Sequence, residues 1–134
     1  MSMLTITKLT STVGGRNPAH ATGVGKLLLA YALPDKDAIA AWVGDRELER
    51  PTANTKATVE ELHVELEAIR ERGYSIDDQE NEPGINCVAL PAFLTSPTVP
   101  SGAISVSALA YRTPLATLID SLDDIRAIIN GDTA

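Results

Sequence analysis

The chain has 134 residues, of which 44% are hydrophobic and 22% are charged, and this balance predicts one globular domain with a buried core. Its net charge of −7, from 18 acidic and 11 basic residues, opposes binding to nucleic-acid phosphates. Aromatic residues make up only 4%, so stacking on bases or sugars is not expected either. The single cysteine excludes an internal disulfide, and the sequence shows neither a signal peptide nor an apolar run that could span a membrane. We therefore expect a cytoplasmic protein without a membrane partner.

The first half of the chain predicts one strand and two helices. β-Branched residues favour a strand over residues 4–13, and the glycines and the proline of residues 14–18 end it. Apolar residues at helical spacing predict a buried helix that begins near Thr22 and stops at Pro34. A shorter helix is expected over residues 35–43, followed by an irregular polar segment.

The clearest helix of the chain follows Thr58. Thr58 and Glu61 have the spacing of a capping box, in which each residue satisfies a backbone N–H group of the other. Gly73 is expected to end this helix in the left-handed conformation. Tyr74 and Ile76 then alternate into a short strand.

The last third of the chain predicts two strands and one helix. The strands are expected over residues 86–93 and 103–109. The helix should have Thr113 as its cap, Pro114 at its first position and Gly131 at its end. Because strands and helices occur in blocks, we predict an antiparallel α+β domain rather than a Rossmann-type sheet.

Two glycines, Gly23 and Gly25, stand at the start of the apolar helix. Glycine inside a helix costs about 1 kcal/mol relative to alanine, so these two glycines need a reason. One reason is tight packing of the helix on the sheet. The other is close approach of a ligand to the free backbone N–H groups and the positive end of the helix dipole.

Ser105 and Ser107 are predicted to share one face of their strand, because side chains alternate along a strand. Buried hydroxyl groups need hydrogen-bond partners. These partners can be backbone groups or solvent, or they can belong to a ligand.

Cys87 is the one thiol, and three interpretations of it remain open. It can be a small buried hydrophobic residue, it can line a ligand site, or it can be a nucleophile that His20 and Asp77 assist. The chain has only two histidines, without a paired motif, so we expect no metal site and no cofactor.

Four acidic residues precede the Cys87 strand: Asp77, Asp78, Glu80 and Glu82. Their simplest interpretation is a solvated turn. One of them could instead stand at the mouth of a pocket, where it would accept hydrogen bonds from ligand hydroxyls. A carboxylate that faced an anionic ligand would repel it unless one of the two were protonated.

Four stretches of the chain carry a family resemblance: residues 13–26 (VGGRNPAHATGVGK), 72–78 (RGYSIDD), 82–89 (EPGINCVA) and 103–107 (AISVS). Together they resemble the effector-binding domain of the IclR family of bacterial transcription regulators, from about residue 5 to the end. The resemblance implies a GAF-like or profilin-like fold, which is an antiparallel sheet flanked by helices with a ligand cavity on one face.

The resemblance also implies a site and a ligand class. Gly23 and Val24 would offer backbone contacts, Ser105 and Ser107 would supply hydroxyl groups, and three residues of the second and third stretches would line the cavity: Asp77, Ile85 and Cys87. Effectors of the family are small organic or aromatic acids and related metabolites. We therefore expect this domain to sense such an acid. We also expect it to form a homo-oligomer, either a dimer or a tetramer.

The chain also departs from the family pattern. No DNA-binding helix-turn-helix precedes residue 5, and the first helix and hairpin of the family domain have no counterpart. We thus expect residues 1–134 to form a single, N-terminally incomplete effector-binding domain that reaches DNA only through a domain outside this chain. Missing strands would leave a sheet edge exposed. Two alternatives are a degenerate paralogue that only forms oligomers and a cysteine-dependent enzyme that uses Cys87 and His20.

Overall fold

The computed structural model describes residues 5–7, 18–93 and 95–129. Its helices and strands follow in the order β1 (Thr5–Thr7), α1 (Gly23–Ala32), α2 (Lys36–Val43), α3 (Val59–Arg72), β2 (Ser75–Asp78), β3 (Ile85–Ala92), β4 (Gly102–Leu109), α4 (Leu115–Asp120) and α5 (Leu122–Ile129). Strand β1 confirms part of the strand predicted over residues 4–13. The remainder of that prediction, the breaker at residues 14–17 and Gly131 lie outside the described residues.

The first three helices begin at side-chain caps. Thr22 accepts a hydrogen bond from the N–H group of Gly25, and Asp35 and Thr58 cap α2 and α3 in the same way. The predicted capping box of α3 is only half confirmed, because the Glu61 carboxylate accepts from the N–H group of Ala57 and not from that of Thr58. Gly73 ends α3 at a φ of 84°, a left-handed conformation that suits glycine.

The prediction of one long final helix is wrong. The segment forms two helices, α4 and α5, which meet at Ser121. The Ser121 hydroxyl group donates to the carbonyl of Thr117, and this competition with the backbone is typical of a serine at a helix break. Helix α4 begins one residue later than predicted, with Pro114 in the cap position and no side-chain cap from Thr113.

The four strands form an antiparallel sheet in the order β1-β4-β3-β2, which confirms the α+β class. Helices α1 to α3 cover one face with a core of Val24, Leu27, Leu29, Ala30, Ile39, Val43, Leu62, Leu66, Ile69 and Ala89. Helices α4 and α5 belong to the opposite face, where the core contains Val88, Leu90, Val106, Ala108, Leu118, Leu122 and Ile125. No helix within the described ranges is long and apolar enough to cross a membrane.

The expectation of an exposed sheet edge stays a prediction, although side chains already engage part of the β2 edge. Alternate carbonyl groups along and just before β2 accept hydrogen bonds from side chains. The three bonds run from Arg72 Nε to Tyr74 O (2.8 Å), from Lys26 Nζ to Ile76 O (2.7 Å) and from Asn54 Nδ2 to Asp78 O (2.9 Å).

Candidate ligand-binding site

Three of the predicted site residues form one row across the sheet. Asp77 of β2 is the Cα partner of Cys87 of β3, which is in turn the Cα partner of Ser107 of β4. Directly opposed residues of antiparallel strands project from the same face of the sheet. The sheet register therefore brings a carboxyl group, a thiol and a hydroxyl group together.

The start of helix α1 lies directly against this row. A Cβ atom placed on Gly23 would lie 3.3 Å from Cys87 Sγ, 3.6 Å from Ala89 Cβ and 3.8 Å from Asp77 Cβ. Gly23 thus meets the need for close packing of the helix on the sheet. It also brings the backbone of the first helical turn next to the row.

Gly25 has a different role. A Cβ atom on Gly25 would lie only 2.6 Å from both Ala19 Cα and Thr22 Oγ1. The residue at this position must therefore be glycine so that residues 19–22 can fold back against the helix. Of the two reasons considered for these glycines, packing accounts for Gly25 by itself.

The first turn of α1 keeps two unused donors. The N–H group of Gly25 donates to Thr22 Oγ1 at 2.9 Å, and that of Lys26 donates to Thr22 O at 3.0 Å. The N–H groups of Gly23 and Val24 donate to no residue that the structure describes. These two amides are available to an anion at the positive end of the helix dipole.

The other predicted site residues flank the row on the same face. Ser105 is the Cα partner of Ala89, two positions along β4 from Ser107, and Ile85 lies two positions before Cys87. Ser105 is buried, whereas Ser107 and Ile85 are half-buried. Solvent therefore reaches this face of the sheet at Ser107 and at Ile85.

The environment of Cys87 does not suit a nucleophile. Burial and, to a smaller extent, the nearby Asp77 carboxylate raise the pKa of the thiol to about 11, although hydrogen bonding to Ser107 acts in the opposite direction. A thiol with this pKa is protonated at neutral pH. His20 instead pairs with the carbonyl of Glu49 through Nε2 at 2.6 Å, and within the described part of the chain no hydrogen bond joins it to Cys87.

The prediction of a solvated acidic turn is wrong for two of its four members. Asp77 and Glu80 are buried, with 6% and 1% of their surface exposed, while Asp78 and Glu82 are exposed. Glu80 Oε1 accepts from Lys26 Nζ at 2.7 Å, and Glu80 Oε2 accepts from the N–H group of Asp78 at 3.0 Å. The turn therefore folds inwards because a buried cation is present to receive it.

That cation, Lys26, was missed in the sequence. It is fully buried and bonds Glu65 Oε2 at 2.9 Å and Ile76 O at 2.7 Å, in addition to Glu80. Arg72 Nη2 completes the cluster with a 3.2 Å contact to Glu65 Oε1. A lysine on the apolar helix, directly between Val24-Gly25 and Leu27-Leu28, was the available signal for this cluster.

The acidic turn is also held from outside by the segment before α3. Thr55 Oγ1 donates to the carbonyl of Glu80 at 2.5 Å, and Thr52 Oγ1 donates to the carbonyl of Gln79 at 2.6 Å. Gln79 adopts a positive φ of 53°, a strained conformation for a residue other than glycine. These bonds fix the backbone that presents Asp77 and Glu80.

Asp77 has an unusually high affinity for its proton. Burial and the neighbouring Glu80 carboxylate together raise its pKa from 3.8 to about 6, against the opposing effects of the Glu80 N–H group, 2.7 Å from Asp77 Oδ1, and of Lys26. The site therefore contains a carboxyl group that titrates close to neutral pH.

Two further features of the described residues bear on the site. A surface cleft of about 600 Å³ is lined by Glu47, Leu48, Glu49, Arg50, Ala57 and Thr58, none of which is a predicted site residue. No group of three or more histidine, cysteine, aspartate or glutamate side chains within the described ranges is placed to hold a metal ion.

Comparison with known proteins identifies the family. Residues 2–128 match the model of the family described as "Bacterial transcriptional regulator IclR C-terminal". The chain belongs to the IclR family, as the C-terminal domain of its transcriptional regulators. The HTH-type transcriptional regulator KdgR of Dickeya chrysanthemi is 37% identical over 86 residues, which are 64% of this chain and 28% of the relative. The chain spans less than half the length of the curated relatives compared here.

Solved structures of family domains have the same fold. The C-terminal domain of E. coli KdgR superposes with a TM-score of 0.72 at 30% identity and covers 87% of this chain and 69% of that one. The inducer-binding domain of PobR from Acinetobacter, a double mutant in complex with 3-hydroxybenzoic acid, gives a TM-score of 0.75 at 27% identity. That match covers 93% of this chain and 73% of the PobR chain. The predicted GAF-like effector-domain fold is confirmed.

Proposed function

We propose that this domain binds a small organic or aromatic acid beside the row of Asp77, Cys87 and Ser107. The observation that carries the proposal is the convergence of this row with the first turn of α1, where two N–H groups have no partner among the described residues. Hydrogen-bond donors at a helix start, next to hydroxyl groups in a largely buried setting, suit a carboxylate.

Each predicted residue has a role in this proposal. The N–H groups of Gly23 and Val24 would hold the carboxylate, and Ser105 and Ser107 would bond the remaining polar atoms of the ligand. Asp77, Ile85 and Cys87 would line the cavity. The inducer-binding domain of PobR, whose complex contains 3-hydroxybenzoic acid, supports an aromatic or comparably small acid as the ligand class.

We also propose that the ligand acts through the arrangement of subunits. A ligand can shift an equilibrium between two assemblies only by the difference of its affinities for them, so it must contact a surface that differs between them. A homodimer or tetramer of this domain would transmit the change to a DNA-binding domain outside this chain. The net charge of −7 and the helix-turn-helix type of the named relatives agree with a domain that does not bind DNA alone.

One observation favours an alternative, a domain that only forms oligomers. Asp77 and Cys87 are each 6% exposed, so helix α1, whose Gly23 lies against both, already covers much of the row. A protein with this role would melt at the same temperature with and without acids. Catalysis by Cys87 is not proposed, because the Cys87 thiol is protonated at neutral pH and the relatives of this chain are named as regulators.

Calorimetric titration tests the proposal. The panel consists of pyruvate, lactate and 3-hydroxybenzoate, each with its neutral amide as a control. We expect at least one acid to bind more tightly than its amide, and Ser107→Ala to weaken this binding about tenfold through loss of one hydrogen bond to the ligand. Ser96→Ala, in the loop between β3 and β4, is the matched control and should bind as the wild type does. Absence of binding by every acid would contradict the proposal.

A further inference from the structure

Among residues 18–93 and 95–129, the candidate site has hydrogen-bond donors but no cation that is free to pair with a ligand. Its groups are the amides of Gly23 and Val24, the hydroxyls of Ser105 and Ser107 and the neutral thiol of Cys87. A carboxylate that binds there would thus meet neutral donors only, because the nearest positive charges are engaged elsewhere.

Lys26 is the cation nearest along the chain to Gly23 and Val24, and all three of its N–H donors are used. An ammonium group has three N–H donors, and those of Lys26 go to Glu65, Glu80 and the carbonyl of Ile76. Arg72 bonds Glu65 and the carbonyl of Tyr74, and its guanidinium group lies 5.2 Å from the centre of the Tyr74 ring. These two cations pair with Glu65 and Glu80, so neither of them is left to pair with a ligand.

Asp77 forms no ion pair with Lys26 or Arg72, because these two cations pair with Glu65 and Glu80. It faces Glu80 of the acidic turn and Lys26 of α1, with Cys87 beside it on β3, and Glu65 of α3 is bonded to the same lysine. Of these groups only Lys26 is positive, and it is shared between two glutamates. Accordingly, burial and the Glu80 charge have already raised the pKa of Asp77 to about 6 in the absence of a ligand.

A bound carboxylate would lie close to Asp77. The Gly23 backbone that offers its N–H group is near enough that a Cβ atom on Gly23 would be 3.8 Å from Asp77 Cβ. In a largely buried site, a ligand carboxylate near Asp77 and an ionised Asp77 carboxylate would repel each other, and a shared proton removes the repulsion. Protonation also turns Asp77 from an acceptor into a donor for the ligand.

We propose that an acid effector binds this site as its carboxylate together with one proton, which the Asp77 carboxyl group takes up, so that affinity falls as the pH rises. The inference rests on the proposed acid-binding function and adds to it a dependence on pH. The domain would then report the concentration of an acid jointly with the acidity of its surroundings.

The test uses 3-hydroxybenzoate, pyruvate and lactate as probes, with calorimetric titration across a range of pH. For the acid that binds, we expect the dissociation constant to rise about tenfold per pH unit between about pH 6.5 and about pH 8. Titrations in phosphate and in Tris, whose ionisation enthalpies differ, should show uptake of about one proton per ligand bound. The neutral amide of the same acid should bind without this pH dependence.

Two variants test whether Asp77 is the group that takes up the proton. Asp77→Asn should remove both the pH dependence and the proton uptake, whereas Asp78→Asn, at the exposed neighbouring position, should keep both. An acid that binds with the same affinity throughout the range would overturn the inference and leave the proposed function intact. Persistence of the pH dependence in Asp77→Asn would overturn it as well. Failure of every acid to bind at any pH would instead overturn the proposed function, and the inference with it.

Discussion

One face of the sheet contains two regions, one with paired charged groups and one with neutral polar groups. Over β2, Lys26, Glu65 and Glu80 are buried, and ion pairs join them to one another and to the half-buried Arg72. Over β3 and β4, the groups are neutral, and two amides at the helix start above them donate to no described residue. The first region holds α1, α3 and the acidic turn together through its bonds. The second is the region for which we propose ligand binding.

The comparison predicts that changes in the charged region alter stability and that changes in the neutral region alter binding. The largest effect is expected for Lys26→Met. This variant leaves Glu80 buried without its cation and leaves Glu65 with Arg72 alone, which should cost about 3–5 kcal/mol of unfolding free energy. Urea denaturation measures the loss. The control is Lys36→Met, which removes an exposed pair with Glu60 at 3.9 Å and should change the stability by less than about 0.5 kcal/mol. Similar losses in both variants would contradict the special role of Lys26.

Asp77 lies at the boundary of the two regions, and its effect on stability should depend on pH. Because its pKa is raised from 3.8 to about 6, the native state holds the proton more tightly than the unfolded chain does, and stability falls as the pH rises between these values. Asp77→Asn removes this penalty and should stabilise the domain at pH 7 by at most about 3 kcal/mol, with no gain below about pH 4. Urea denaturation at several pH values measures the gain, with Asp78→Asn as the exposed control. A gain that is equal at all pH values would refute the assigned cause.

Gly25 tests whether packing alone accounts for the second glycine of α1. Alanine normally favours a helix, yet its Cβ atom would lie 2.6 Å from Ala19 Cα. We expect Gly25→Ala to destabilise the domain by about 1–3 kcal/mol through overpacking, as thermal unfolding would show. Gly102→Ala is the control, since a Cβ atom there would have no neighbour within 4 Å. A stabilised Gly25→Ala variant would mean that residues 19–22 do not pack as described.

Ser107 should give the smallest change in stability. It is half-buried in the neutral region, so Ser107→Ala should lower the unfolding free energy by less than about 1 kcal/mol, the usual net contribution of one hydrogen bond. Its effect should instead appear in the affinity for the acid. If Ser107→Ala lost as much unfolding free energy as Lys26→Met, the proposed difference between the two regions would be contradicted.

Local patterns sufficed for most of the elements. The cap residues Thr22, Asp35 and Thr58 and the left-handed Gly73 act within a few residues of themselves, and each lies where the sequence predicts a helix boundary. The final helix is the exception. Its apolar pattern continues through Ser121, but the helix is interrupted there, and a hydrophobic stripe alone does not reveal such a break.

The candidate site also has a part that the sequence predicted and a part that it did not. The resemblance to the family selected residues that the register does bring onto one face, including Asp77, Cys87 and Ser107, and their role in binding stays a prediction. The cluster around Lys26 could not be derived from spacing, because its members are 39 and 54 residues apart along the chain. The acidic turn was therefore assigned to solvent, and its inward fold was missed.

By itself, the sequence determined the class of the domain, the boundaries of its first three helices and its family, because periodicity, caps and motifs depend on residues that are close together along the chain. The tertiary structure alone decided which charges are buried, which carboxyl group is left without a cation and which amides remain unused. These properties depend on the distance between side chains from different elements, and the electrostatic free energy of a buried group depends on what lies within a few ångströms of it.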